Sequence, residues 1–294
     1  MTTASEPVAP YPGRVSVAAD AAGDVVVVWP QAGLIRTARH VRTGGGWSQA
    51  VDLGPADPSY VTPGIAIDSD RNATVVWASV RGIQAARYSA SAGAWGTAVQ
   101  VAPAAFPGDP RVGVDERGNV TTVWGDSGRI KVSRYSKPGH PWSVPVDISD
   151  GYIPQLGVDH AGNATVLSSR GALNGGGVRA MRYSVDRGTW SGLTDLAALG
   201  QLGNAPQIGT DAAGNAIAVW SVYSTGPTFV VQVARFIAAT EVWGSVITLG
   251  LAGSPLSGGP ELAVAPTGDA VVAWTAPGGV VRSSRFDETT ETWS

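Results

Sequence analysis

The chain has 294 residues, 44% of them hydrophobic and 15% charged, with 39 glycines, 20 prolines, 11 tryptophans and no cysteine. That mix suits short buried strands punctuated by turns, in one large all-β domain or two ordinary ones, and does not suit a disordered chain or a coiled coil. The net charge of −3, with no basic patch, argues against nucleic acid and anionic membranes as partners, and the lack of cysteine removes disulfides, thiolate metal sites and thiol nucleophiles.

The opening residues, Met1-Thr-Thr-Ala-Ser-Glu-Pro7, lack the basic stretch and apolar core of an export signal. No run approaches the roughly 18 apolar residues of a membrane helix. These features predict a soluble, monomeric chain, cytoplasmic as it stands and extracellular if Met1 follows a removed signal.

One segment then recurs along the chain: an Asp-x-x-Gly-Asn-type turn leading into an apolar run. The runs end at Trp29, Trp77, Trp124, Ser168, Trp220 and Trp274. A second segment follows each, with an aromatic position at His40, Tyr88, Tyr135, Tyr183, Phe236 and Phe286. Seven residues on stands Trp47, Trp95, Trp142, Trp190, Trp243 or Trp293. Every tryptophan belongs to this repeat. Each copy reads as four strands, as in Ile65–Asp68, Ala73–Trp77, Ile83–Tyr88 and the stretch from Trp95 to Val101. Glycine-bearing hairpins join them.

The second strand is apolar on both faces: Val25, Val27 and Trp29 point one way, Val26 and Val28 the other. A sheet with one wet face alternates. Two-sided burial with short hairpin connections requires sheets packed on both sides, as in a ring of blades. The expectation is an all-β, six-bladed β-propeller of four-stranded antiparallel blades, forming a single domain over residues 1–294. Small residues in the middle of the first strands (Ala18, Ala66, Gly113, Gly157, Gly209, Ala263) fit strands crowded at the axis. The spacing from Trp47 to Asp68 is 21 residues, and the path from Trp293 through Ser294 and Met1 to Asp20 is also 21. A ring closed by the N- and C-termini, with no open edge, follows.

The six copies agree in some lengths and differ in others. The turn between the first two strands and the turn between the last two are constant. The loops between second and third strands run to 5, 5, 5, 9, 10 and 6 residues, and the spans between copies vary too. Function concentrates on variable loops carried by a rigid scaffold, which places a candidate site at the mouth of the channel on the variable side. Repeats four and five depart furthest. Repeat four has Ser168 for tryptophan, then Arg170 within a glycine-rich loop, and repeat five carries Tyr223 in its own long loop. The bland alternative for repeat four is drift, with Leu173 filling the space of the absent indole.

Aromatic residues occur in four successive inter-repeat spans: Tyr11, Tyr60, Phe106 and Tyr152. The first strands open on Ser16, Gly64, Arg111, Gln155, Gln207 and Glu261, a polar and unsymmetrical set. Rings around a concave mouth suit sugars or flat small molecules; the structural alternative is that they pin proline-rich loops. Asp126, Glu261 and Asp109 are the mouth-side carboxylates available to an acid–base enzyme. The turn carboxylates (Asp20, Asp68, Asp115, Asp159, Asp211) read as turn-stabilising acceptors rather than calcium ligands. The six arginines Arg39, Arg87, Arg134, Arg182, Arg235 and Arg285 read as stacking on a tryptophan or pairing with a turn carboxylate. His40, His140 and His160 occupy repeat positions or fixed turns, leaving no Ser-His-Asp or zinc constellation.

The segment Ser184-Val-Asp-Arg-Gly-Thr-Trp190 resembles the Asp-box of sialidase-type propellers, one residue shorter, at the hairpin where that family carries it. The resemblance implies a six-bladed fold. It also directs attention to the family's arginine cluster, tyrosine nucleophile and assisting glutamate, residue types available here as Arg14, Arg111, Tyr11, Tyr60, Tyr223 and Glu261. None of these aligns to the family's motifs, so no catalytic residue carries over. The leading expectation is a recognition module, without a cofactor or metal, that binds a glycan, small molecule or peptide at the variable-loop mouth. A carboxylate-based or metal-assisted hydrolase or lyase in the same mouth is the alternative, and a structural scaffold the third.

Overall fold

The computed structural model describes residues 14–57, 62–136, 141–170, 176–197, 203–223, 228–253 and 259–294. They form six antiparallel sheets, each with its strands side by side in chain order. The first sheet takes Ser16–Ala19, Val25–Gln31, Leu34–His40 and Val51–Pro55. In the second, Gly64–Ile67, Ala73–Ser79 and Gly82–Ser89 are followed by a fourth strand broken into Ala94–Trp95 and Val99–Ala102. Among the described residues the one helical turn is Pro277–Gly279, and no helix is long and apolar enough to cross a membrane.

By internal contacts the chain divides into two compact units. One comprises residues 1–113, 117–127 and 133–145; the other comprises 114–116, 128–132 and 146–294. The first two sheets lie in the former and the last three in the latter.

The apolar second strands of the second to fifth sheets are buried on both faces, as their composition requires. In the first and sixth sheets one face is open, with Val25, Val27 and Trp29 only half-buried and Val271 45% exposed. Every residue of Ala73–Ser79 is buried, and Val75, Val76 and Trp77 are wholly inaccessible. Trp77 packs with Val28 and Leu53 of the first sheet; Trp220 packs with Leu167 and Leu196 of the fourth. Each such indole contributes several kcal/mol, on the order of 3–5 by the cost of truncation to alanine. First strands approach closely where side chains are small. A Cβ on Gly209 would stand 2.5 Å from Val264 Cγ2, which only glycine avoids.

Repeated polar positions hold the turns. Asp68, Asp159 and Asp211 each accept the backbone N–H four residues on, from Asn72, Asn163 and Asn215, at 2.8 Å. Those asparagines in turn accept the N–H of Ala90, Val185 and Ala238. The turn carboxylates are therefore engaged structurally. Of the repeat arginines, Arg182 pairs with its turn carboxylate Asp159 at 2.7 Å, Arg39 with Asp24 at the asparagine position of the turn at 2.8 Å, and Arg235 instead with Glu288 and Glu291 of the last hairpin. Four of them cover the tyrosine or phenylalanine of the following sheet rather than a tryptophan: Arg39 over Tyr88, Arg87 over Tyr135, Arg182 over Phe236 and Arg235 over Phe286. Tryptophan instead stands 5.3–5.6 Å from the aromatic seven residues before it in all six sheets.

Candidate functional site

The fourth and fifth sheets differ from the rest in their first strands. Those strands are Tyr152–Val158 and Gly203–Thr210, seven and eight residues, against four in each other sheet. Both extensions come from a bulge in the pairing with the second strand, between Tyr152 and Gln155 and between Asn204 and Gln207. Inside each bulge one residue takes a left-handed backbone, Ile153 at φ 52° and Ala205 at φ 48°. For a β-branched residue such as Ile153 this is a true outlier. The same order, a left-handed residue, proline, then glutamine, occurs in both: Ile153-Pro154-Gln155 and Ala205-Pro206-Gln207. Bulges and stored strain recur beside functional sites, where they re-aim side chains.

Gln155, Gln207 and Glu261 occupy one register position, opposite Leu167, Val219 and Ala273. Gln207 Nε2 donates to Glu261 Oε2 at 3.2 Å, joining two sheets. At the same ends of the fourth and fifth sheets lie two exposed aromatic side chains. Tyr152 is 49% exposed, and Tyr223 is 40% exposed and packs edge-on against Phe229 at 4.2 Å.

Behind Tyr152 stands a buried charge that sequence reading did not single out. Arg179 pairs in register with Ser168, is 2% exposed, and bonds Asp150 Oδ1 at 2.9 Å. Its Nη2 also donates to the Asp150 carbonyl. Trp77 and Trp274 make the equivalent bond from their sheets to the fourth strand of the preceding one, donating Nε1–H to the carbonyls of Pro55 and Leu251 at 2.9 and 3.0 Å. Pro55, Asp150 and Leu251 are equivalent residues, paired with Leu34, Arg129 and Val230. Arg179 therefore takes over the bond of the absent indole. Leu173, expected to fill that space, lies outside the described residues. Burial by itself raises the Asp150 pKa, but the Arg179 bond and charge, with Arg170 nearby, bring it below its ordinary value. Arg170 lies 4.0 Å from Asp195.

The other predicted residues fall as follows. Tyr11 and Tyr60 lie outside the described residues. Phe106 is 78% exposed, and its N–H donates to Asp126 Oδ1 at 3.1 Å, which also accepts from Ser127. Asp126 is buried and fixes that segment. Asp109 accepts the Thr62 N–H at 2.9 Å. Burial pushes the Arg111 pKa down, Asp109 opposing and Arg14 adding to the shift. Among the described residues no three His, Asp or Glu side chains come together to hold a metal ion.

No protein-family model matches this chain, and no curated protein matches it either. Solved structures do. It is similar to an ulvan lyase at 10% identity and a TM-score of 0.64, covering 97% of this chain and 81% of that one. It is similar to the intramolecular trans-sialidase of Ruminococcus gnavus at 9% identity and a TM-score of 0.56, covering 96% and 95%. The fucose-specific lectin of Aleuria aurantia gives 14% identity, a TM-score of 0.55, and 98% and 95% coverage. The fold is a six-bladed β-propeller. Each sheet is a blade, and these neighbours are propellers that bind or act on carbohydrate.

Proposed function

We propose that the chain is a glycan-recognition propeller that reads its ligand with the loop-side ends of blades four and five and the first residue of blade six. The observation that carries this reading is the paired bulge. A left-handed Ile153 and a left-handed Ala205 each turn a following Pro-Gln, and Gln207 reaches on to Glu261. Amide and carboxylate groups in a row supply both donors and acceptors for sugar hydroxyls. Exposed Tyr152 and Tyr223 supply rigid rings for the C–H faces of a pyranose. That similar folds belong to a fucose-specific lectin, a trans-sialidase and an ulvan lyase supports a sugar as the ligand.

The test is an array of immobilised plant, algal, fungal and bacterial glycans, probed with the wild-type chain and a Tyr152→Ala/Tyr223→Ala variant. The expected result is binding to at least one glycan class, weakened about tenfold or more by the paired substitution, a loss of about 1.4 kcal/mol. A silent array, or equal binding by both proteins, contradicts the proposal.

A further inference from the structure

A second place on the molecule has the form of a ligand site, far along the chain from blades four and five. Between blades one and two lies an open groove of about 820 Å³, lined by Trp47, Trp95, Arg39, Tyr88 and the glycines 44–46 and 93. Volumes of roughly 300–1,000 Å³ are those of small-molecule sites. Trp47 is 55% exposed, whereas the other five fourth-strand tryptophans are half-buried.

The repeat itself shows why this groove is open. Its counterpart between blades five and six is lined by Arg235, Phe286, Trp293 and Glu291, and measures about 190 Å³. There Glu291 reaches across to Arg235 Nη1 at 3.1 Å, and Glu288 bonds the same guanidinium. Arg39 stands where Arg235 stands, immediately before the third-strand aromatic, and Gly93 stands where Glu291 stands, two residues before the tryptophan. Glycine in place of glutamate removes the strut.

The charge in the groove is already balanced. Arg39 is the one charged side chain lining it, and its Nη2 is bonded to Asp24 Oδ2 at 2.8 Å while its guanidinium lies 4.8 Å over Tyr88. An anionic ligand would compete with Asp24, and a cationic one would meet Arg39. What remains is an indole beside the amide side chain of Gln49, Ser48 Oγ being already bonded to the Arg39 N–H and the Gln49 carbonyl, which fits a ring with one apolar face and hydroxyls at its rim. We infer that this groove is a separate site for a neutral pyranose, independent of the reading given for blades four to six.

The molecule supplies its own blocking substitution. Among the described residues the position two before the tryptophan has a left-handed backbone with glycine or glutamate alike: Gly93 at φ 65°, Glu241 at φ 57°, Glu291 at φ 53°. A Cβ on Gly93 meets nothing within 4 Å. Gly93→Glu therefore rebuilds the Glu291 strut onto Arg39 on a backbone the chain already tolerates with glutamate. The experiment titrates the methyl glycosides of glucose, galactose, mannose, fucose and N-acetylglucosamine, followed by tryptophan fluorescence and ligand-observed saturation-transfer NMR. At least one is expected to bind the wild-type chain. That binding should weaken about tenfold or more in Gly93→Glu and in Trp47→Ala, and persist in Tyr152→Ala. Thermal unfolding of Gly93→Glu at or above the wild-type midpoint shows that the loss is not misfolding. Absence of binding by all five glycosides, or equal binding by Gly93→Glu and Trp47→Ala, overturns the inference. Loss in Tyr152→Ala with retention in Gly93→Glu assigns the sugar to blades four to six instead.

Discussion

At the scale of single residues, Arg179 carries the most information. In five copies of the repeat an indole closes the second strand. In the fourth, Ser168 leaves the space, and Arg179 enters it from the paired strand to bond Asp150. Arg179 is buried but its partner Asp150 is 39% exposed, so removing Arg179 leaves a carboxylate that water can reach, and what is lost is the bonds and packing of the buried side chain. Arg179→Ala is therefore expected to destabilise the fold by about 1–3 kcal/mol. The double variant Ser168→Trp/Arg179→Gln recreates the Trp77–Gln84 and Trp220–Gln232 pairs of blades two and five and should be as stable as the wild type or more so. Denaturant midpoints decide this. A double variant as unstable as Arg179→Ala would show that Arg179 does not stand in for the indole. Ser168 was legible in the sequence as a break in the pattern. Its partner was not, because the pairing of residues 168 and 179 is set by strand register after a loop of altered length.

At the scale of elements, the turns and strands were the most legible part. Asp, Gly and Asn at fixed offsets specify the hairpin, and the apolar run specifies two-sided burial, so each strand could be placed to within a residue or two. The fourth strands are less continuous than the sequence suggests: Ala94–Trp95 and Val99–Ala102 pair with one strand in two pieces. The bulges in blades four and five were not read at all. Their signal, Pro-Gln at the same distance before Asp159 and Asp211, is visible only once the extra pairing of Tyr152 with Ser169 is known. Bulge strain offers a test of its own. A left-handed non-glycine residue costs about 1–2 kcal/mol, and glycine returns part of that as chain entropy, about 0.5–1 kcal/mol. Ile153→Gly is accordingly expected to stabilise the protein by up to about 1 kcal/mol in denaturant unfolding. A loss of stability larger than that would mean that the Ile153 side chain, 54% exposed, contributes packing that its exposure does not suggest.

At the scale of the whole molecule, six sheets and the order of their strands follow from counting the repeat. The ligand does not, because loops are free to differ and their side chains are placed by register and bulge rather than by periodicity. Closure by the two termini is an expectation carried by a 21-residue spacing that the path through the termini shares with two of the five internal spans. It predicts that a chain lacking residues 1–10 melts at a lower temperature than the full chain, and an unchanged midpoint would refute it. The central claim concerns the bulged ends of blades four and five, and one measurement tests it most directly: a crystal structure of the full chain soaked with the glycan that binds best on the array. The account predicts sugar density against the ring of Tyr152 or Tyr223, with hydroxyls within hydrogen-bonding distance of Gln155, Gln207 or Glu261. Density confined to the fixed-turn side of the blades, with those five residues untouched, would contradict it.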